Sequence, residues 1–158
     1  MHRRENDHLP DLLQPDVSEL GFRRLAEFRH RIRRFLHSSE EAARAEGIEP
    51  QQHQLLLMLK GLPKGTRPTL SALAERLCLR HHSTVELVDH LAERGAVRRK
   101  QASEDHREVL VELTPSGEEL LHRLSGLHWE ELRISGPALS ESLDAVMRHA
   151  AGHHGRRG

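Results

Sequence analysis

The spacing of apolar residues changes once along the chain, and this change restricts the fold more than any other feature. Two short segments, 69–77 and 83–94, carry leucines and valines at spacings of three and four, which predicts two helices joined by a tight turn. Directly after them, 96–101 and 108–113 alternate apolar and polar residues around the polar sequence ASEDHR, which predicts a β-hairpin. Helix, turn, helix and hairpin in this order predict a winged helix-turn-helix, and the fold class is mainly α with a small β-hairpin wing.

Longer helical segments flank this lobe. On the N-terminal side, apolar residues share one face of a helix predicted over 17–45, which Ser38 and Ser39 could interrupt. The residues on that face are Leu25, Phe28, Ile32 and Phe35. The following segment, 51–60, is too apolar for a surface helix, so it is expected at the centre of the lobe.

The C-terminal side begins with Thr114 as N-cap and Pro115 at the first helical position. A helix is predicted from there to about 135, Gly136 and Pro137 are expected to break it, and a last helix is predicted over 140–150. Because both flanking regions are apolar-periodic and the lobe is already complete, they are expected to pair with a second copy. The predicted parts are a flexible arm (1–15), a dimerisation helix (16–46), the winged lobe (47–113), C-terminal dimerisation helices (114–150) and a disordered tail (151–158).

Composition narrows the possible partners. The 158 residues have a formal net charge of zero, so any DNA-binding surface must be local. Aromatic residues are only 3%, which argues against a stacking platform for single-stranded nucleic acid. The single cysteine, Cys78, is expected to be a buried structural thiol. With neither a signal peptide nor an apolar run long enough for a membrane helix, the expected location is the cytoplasm, with no membrane partner.

A winged helix-turn-helix makes its DNA contacts with two parts. The N-terminal residues of the second helix reach base edges in the major groove, and the hairpin can place an arginine in the minor groove. Arg98, Arg99 and Lys100 lie on the first strand, where they suit phosphates. The remaining candidates for DNA contact are Arg80, His81, His82, Ser83, Thr84, Glu86, Asp105 and Arg107.

Three stretches resemble the MarR family of regulators (multiple-antibiotic-resistance type): GIEPQQHQLLLMLKG, LSALAERLCLRHHSTVELVDHLAERGAVRRK and EDHREVLVELTPSGEELL. The resemblance covers about 20–150 and implies a homodimer on a pseudo-palindromic operator, usually a repressor relieved by a small ligand. By position, Arg107 resembles the wing-tip arginine of the family and Asp105 the acid that orients it. Glu86 departs from the pattern, because many relatives carry a basic residue there, and this leaves the base sequence that is read open.

The same resemblance suggests a cleft for a small anionic or aromatic effector. Its candidate lining residues are Phe22, Arg23, His30, His53, Met58 and Trp129, although core packing is the preferred interpretation of Trp129. The fourteen histidines form no convincing zinc spacing, so no metal and no cofactor are expected. A metal-responsive regulator of the same fold and a winged helix used only for protein contacts are the alternatives. With no phosphate loop, nucleophile elbow or paired catalytic carboxylates, an enzyme is not expected.

Overall fold

The computed structural model describes residues 18–103 and 107–154. In chain order, the elements are α1 (Glu19–Ala45), α2 (Pro50–Lys60), α3 (Leu70–Leu77), α4 (His81–Glu93), β1 (Val97–Gln101), β2 (Val109–Leu113) and α5 (Pro115–His154). The predicted fold class, mainly α with one antiparallel hairpin, is confirmed. The predicted arm at 1–15 and the end of the predicted tail, 155–158, lie outside the described residues.

The chain divides into two compact units, and both long helices contribute to each. The described residues of the first unit are 18–34 and 135–154, and the second unit spans Phe35–Ile134. In the first unit, Arg24 of α1 contacts His149 of α5, with 3.0 Å between Nη1 and Nδ1. None of the described helices is both long and apolar enough to span a membrane.

The second unit holds one core, which every one of its helices helps to form. Leucines of α2, α3 and α4 are fully buried, among them Leu55, Leu73 and Leu91. Ala43 of α1 and Leu124 of α5 join the same cluster. The core therefore extends beyond the predicted lobe of 47–113 into both flanking helices.

Helix α1 runs without a break through the serines that were expected to interrupt it. Serine disfavours a helix interior when its hydroxyl competes for backbone groups. Here the Ser39 hydroxyl is buried and lies 2.8 Å from Nε2 of His128, so it is engaged away from the backbone. The predicted interruption at Ser38 and Ser39 is therefore wrong.

Helix α5 is also continuous, which corrects two expectations. Pro137 lies inside the helix and does not end it at Gly136, so one helix replaces the two that were predicted. Proline removes the hydrogen bond to the carbonyl four residues earlier, that of Arg133. Because Pro137 and Arg133 are both exposed, water can hydrate that carbonyl instead. The helix continues to His154, so 151–154 do not belong to a disordered tail.

Candidate nucleic-acid interface

The recognition helix of the predicted motif is α4, and it begins two residues earlier than expected. Arg80 is its N-cap, in extended conformation, and His81 is the first helical residue. Serine and threonine are favoured at N-caps and arginine is not, which explains why the start was predicted at Ser83. His81 and His82 consequently occupy the exposed first turn, and Glu86 follows one turn later, also exposed.

Thr84 does not lie on the accessible face of α4. Its side chain is fully buried, and its hydroxyl donates to the carbonyl of Arg80 at 3.2 Å. This corrects its expected place at the start of the helix, where the hydroxyl would have been available to phosphate. Ser83 beside it is half-buried.

The turn between α3 and α4 depends on an unusual residue. Cys78 caps α3 with a left-handed backbone (φ 54°), and its amide donates to the carbonyls of Ala74 and Glu75. Glycine is the usual residue there, since it has no Cβ to clash. In this conformation the Cys78 side chain leaves the helix face and is exposed, so the expectation of a buried thiol is wrong.

The two faces of the wing carry different ion pairs. Strands β1 and β2 are antiparallel, with Val97 opposite Leu113 and Arg99 opposite Val111. Because side chains alternate along a strand, Arg99 lies on the same face as buried Val97, and this face is turned toward α4. There the Arg99 guanidinium contacts the Asp89 carboxylate at 2.5 Å.

On the opposite face, one carboxylate serves two basic side chains. Glu112 lies 3.0 Å from Arg98 and 3.5 Å from Lys100. The hydrogen bond from Arg98 is the largest cause that holds the pKa of Glu112 below its usual value. The three consecutive basic residues of β1 therefore do not form one surface, and each has an acidic neighbour.

Strand β2 is attached to the loop before α3. The Val111 amide donates to the Pro68 carbonyl at 2.8 Å, and Thr69 forms a bridge with Leu110. Arg67 and Glu108 form an ion pair nearer the wing tip. The wing is thus supported along one edge as well as at its base.

The wing tip itself is only partly described. The backbone closes the hairpin through the Ala102 amide, which donates to the Glu108 carbonyl at 3.0 Å. Arg107 is exposed next to this closure. Asp105, which the resemblance paired with Arg107, lies outside the described residues.

The base of the wing is joined closely to the start of α5. Thr114 caps the helix as predicted, since its hydroxyl accepts from the Gly117 amide at 3.1 Å, and it also donates to the Gly95 carbonyl. A Cβ added to Gly117 would lie 1.9 Å from the carbonyl oxygen of Ala96. Glycine is required there because the backbone of α5 and that of Ala96, just before β1, approach too closely for any side chain.

A second polar cluster in this unit involves His53 of α2. Its ring is buried and stacks on the ring of His128, with 4.6 Å between centroids and 24° between planes. Within the described part of the chain, neither His53 ring nitrogen has a hydrogen-bond partner. Burial, and to a smaller extent the neighbouring His128, lowers the pKa of His53 from 6.5 to about 4.

The candidate effector residues fall in both units. Phe22, Arg23 and His30 are exposed on the part of α1 in the first unit. In the second unit, His53 is buried and Met58 half-buried on α2. Trp129 of α5 is 73% exposed in the single chain, so it does not pack in the core of that chain, and its packing in a dimer core stays a prediction.

Several functional candidates were missed from the sequence. Asp89, Glu112 and His128 were not singled out, because their partners lie on other elements. For Asp89 one signal existed, since the alternation of β1 places Arg99 inward with Val97, where it needs a carboxylate. Over 18–103 and 107–154, no group of three side chains is arranged to hold a metal ion.

Comparison with known proteins agrees with this geometry. The MarR family model matches residues 46–108. A 70-residue segment is 39% identical to the uncharacterized HTH-type transcriptional regulator YhbI of Bacillus subtilis (strain 168), covering 44% of this chain and 45% of that protein. The match thus spans less than half the length of this curated relative.

Solved structures extend the likeness over most of the chain. AbsC, a MarR family transcriptional regulator from Streptomyces coelicolor, superposes with a TM-score of 0.66 at 21% identity, covering 89% of this chain and 95% of that one. The S. aureus MepR–DNA complex gives 0.63 at 20% identity, covering 80% and 92%. BpsR of Bordetella bronchiseptica, whose DNA binding is regulated by 6-hydroxynicotinic acid, gives 0.59 at 17% identity, covering 76% and 92%.

The fold and the arrangement of α3, α4 and the hairpin define a winged helix-turn-helix protein. Within that class, residues 46–108 match the model of the MarR family, and the structural neighbours include proteins described as MarR family transcription regulators. The resemblance stated from the sequence is thereby confirmed.

Proposed function

We propose that the protein is a transcriptional regulator that binds a specific inverted-repeat operator in double-stranded DNA as a homodimer and represses transcription. The observation that carries this proposal is the exposed first turn of α4, braced by α3 across the Cys78 turn and followed directly by the wing. A helix presented by its N-terminal end fits the major groove, and a hairpin beside it reaches the adjacent backbone or minor groove.

Residues on both parts suit their positions. His81 and His82 are imidazoles at the exposed start of α4, and Arg80 precedes them. Glu86, one turn further, can accept from a cytosine amino group. Arg107 at the wing tip is the proposed minor-groove residue, and Arg98 and Lys100 are proposed phosphate contacts.

The ion pairs on the wing do not oppose this role. Exposed ion pairs contribute about 0–1 kcal/mol, so Arg98 and Lys100 can exchange Glu112 for a phosphate at little cost. Because the chain as a whole has no net charge, attraction to DNA depends on these local groups. Binding should therefore weaken steeply as salt increases.

A homodimer is proposed because the first unit leaves large apolar side chains uncovered. Exposed residues there include Leu20, Phe22, Leu25, Leu143 and Met147. Two short helical stretches cannot bury such a face alone, and a second copy offers the same apolar surface. Two-fold symmetry then requires two half-sites about one helical turn apart, roughly 10 base pairs.

We further propose that a small effector acts on this regulator. A cavity of about 120 Å³ beside His53 is lined by Leu36, Ser39, Glu40, Pro50, Gln51, His53 and Gln54. A dry cavity of about 150 Å³ holds a benzene molecule, so this smaller one takes only part of an aromatic acid, such as its carboxyl end. The unsatisfied nitrogens of His53 offer one donor and one acceptor to a carboxylic acid or hydroxyl group.

The test is selection of binding sequences from random duplex DNA, followed by titration of the selected site. We expect an inverted repeat, a complex with two protomers, and weaker binding when small aromatic acids are added. Recovery of only asymmetric or single-stranded sequences would refute operator recognition. A stable monomer by light scattering at micromolar concentration would refute the dimer, and a reporter gene activated from the selected site would refute repression.

A further inference from the structure

The contact between Arg99 and Asp89 joins the wing to the recognition helix. Asp89 lies on α4 and Arg99 on β1, and their charged atoms are 2.5 Å apart. Both side chains are partly exposed, at 35% for Arg99 and 48% for Asp89. We propose that this ion pair fixes the orientation of the wing relative to α4, so that Arg99 is a positioning residue rather than a phosphate contact.

The alternation of β1 makes this contact the outermost described link between its inner face and α4. Val97 anchors the base of the strand in the core. Arg99 is the next residue on that face, and Gln101 beyond it is exposed. Arg98 and Lys100 point to the other face, toward Glu112. Over the described residues, no other hydrogen bond or ion pair joins a β1 side chain to α4.

The attachment of β2 limits what the ion pair must do. The loop before α3 holds β2 at the edge of the hairpin away from β1, through Arg67, Pro68 and Thr69. The position of β2 is therefore fixed by the loop, whereas the position of the outer half of β1 relative to α4 depends on Arg99. Loss of the ion pair should therefore tilt the wing rather than unfold it. With α4 in the major groove, the tilted wing would no longer place its tip in the minor groove.

The inference rests on the proposed DNA binding. A purely electrostatic role of Asp89 and a positioning role predict opposite changes in operator affinity when its charge is removed. Asp89 is an acidic residue on a helix that faces DNA. If it acted only through its charge, Asp89→Asn would strengthen operator binding, because it removes repulsion from phosphates. If it positions the wing, the same substitution weakens binding.

The experiment compares Asp89→Asn with Glu93→Gln. Glu93 is an exposed carboxylate at the end of the same helix, and over the described residues it has no ion pair. We expect Asp89→Asn to weaken binding to the selected operator about fivefold to tenfold, because the wing-tip contact is misplaced but not deleted. Glu93→Gln should leave binding equal or slightly tighter. Arg99→Asp should weaken binding further, and adding Asp89→Arg should restore part of the loss.

Hydrogen exchange gives a second measurement that does not require DNA. The amides of β1 and β2 should exchange several times faster in Asp89→Asn than in the parent or Glu93→Gln, with the helix amides unchanged. Tighter operator binding by Asp89→Asn, or wing exchange equal to that of the parent, would overturn the positioning role. Failure of the parent protein to bind any duplex would instead overturn the proposed function, and the exchange data would still decide the role of Arg99.

Discussion

The buried imidazole of His53 should make the protein lose stability in mild acid. Its pKa is about 4 in the folded chain and 6.5 when exposed, first because of burial and then because of His128. Between these values the unfolded chain binds a proton that the folded chain does not, so the free energy of unfolding falls as the pH falls from 6.5 toward 4. From pH 7 to pH 5 this one group should remove about 2 kcal/mol.

The assay is urea unfolding at pH 7 and pH 5, at one protein concentration because a dimer is stabilised by mass action. His53→Gln removes the titrating ring, so its loss between the two pH values should be about 2 kcal/mol smaller than that of the parent. His122→Gln is the matched control, since His122 is exposed on α5.

If His53→Gln folds poorly, an NMR titration of the histidines in the parent protein tests the same prediction. The imidazole resonances of His53 in the parent protein should stay those of the neutral ring down to about pH 5. If this ring titrates near 6.5, or if His53→Gln keeps the full pH dependence of the parent, the assignment of the acid sensitivity to buried His53 is refuted.

Three further outcomes follow from contacts already described. Gly117→Ala should lower the free energy of unfolding by about 3 kcal/mol or more, because a Cβ pressed against backbone cannot relax easily. Gly126→Ala, in open space on the same helix, should be neutral or stabilising. Urea midpoints of both variants measure the difference. Arg107→Ala should weaken operator binding about tenfold or more and leave the melting temperature nearly unchanged. Arg98→Ala should mainly lower the salt slope by about one unit. Equal operator binding by Arg107→Ala and the parent would contradict the wing-tip assignment. The Cys78 thiol should react with a disulfide reagent in the native protein nearly as fast as in urea, and protection there would contradict its exposure.

The elements were predictable because their signals are local. Apolar periodicity fixed the order of four helices and a hairpin, and Thr114 with Pro115 marked the start of α5 correctly. Predictions based on the preference of one residue type for one position failed where the structure has an unfavoured residue at that position. Arg80 is a poor N-cap, Cys78 is an unusual left-handed residue, and Pro137 is unusual inside a helix.

Contacts between distant residues left no comparable signal. Ser39 and His128 are 89 positions apart, and neither residue type requires the other. The depressed pKa of His53 depends on that same neighbourhood, so no pattern within α2 could reveal it. Thr84 is a different case, because it shares the buried face of α4 with Leu87, Val88 and Leu91 at spacings of three, four and seven, a local pattern that places it inward.

The basic residues around α4 show why counting charges overestimates a DNA-binding surface. Arg94 looks like part of that surface in the sequence, yet its guanidinium donates to the backbone carbonyls of Gly47 and Glu46 at 2.5 and 3.4 Å. Arg99 is committed to Asp89 in the same way. Both arginines thus attach α4 to its surroundings, one at its C-terminal end and one through the wing. Under the proposed function, both arginines set the geometry of DNA binding, so substitution of either should change that geometry before it changes the salt dependence of binding.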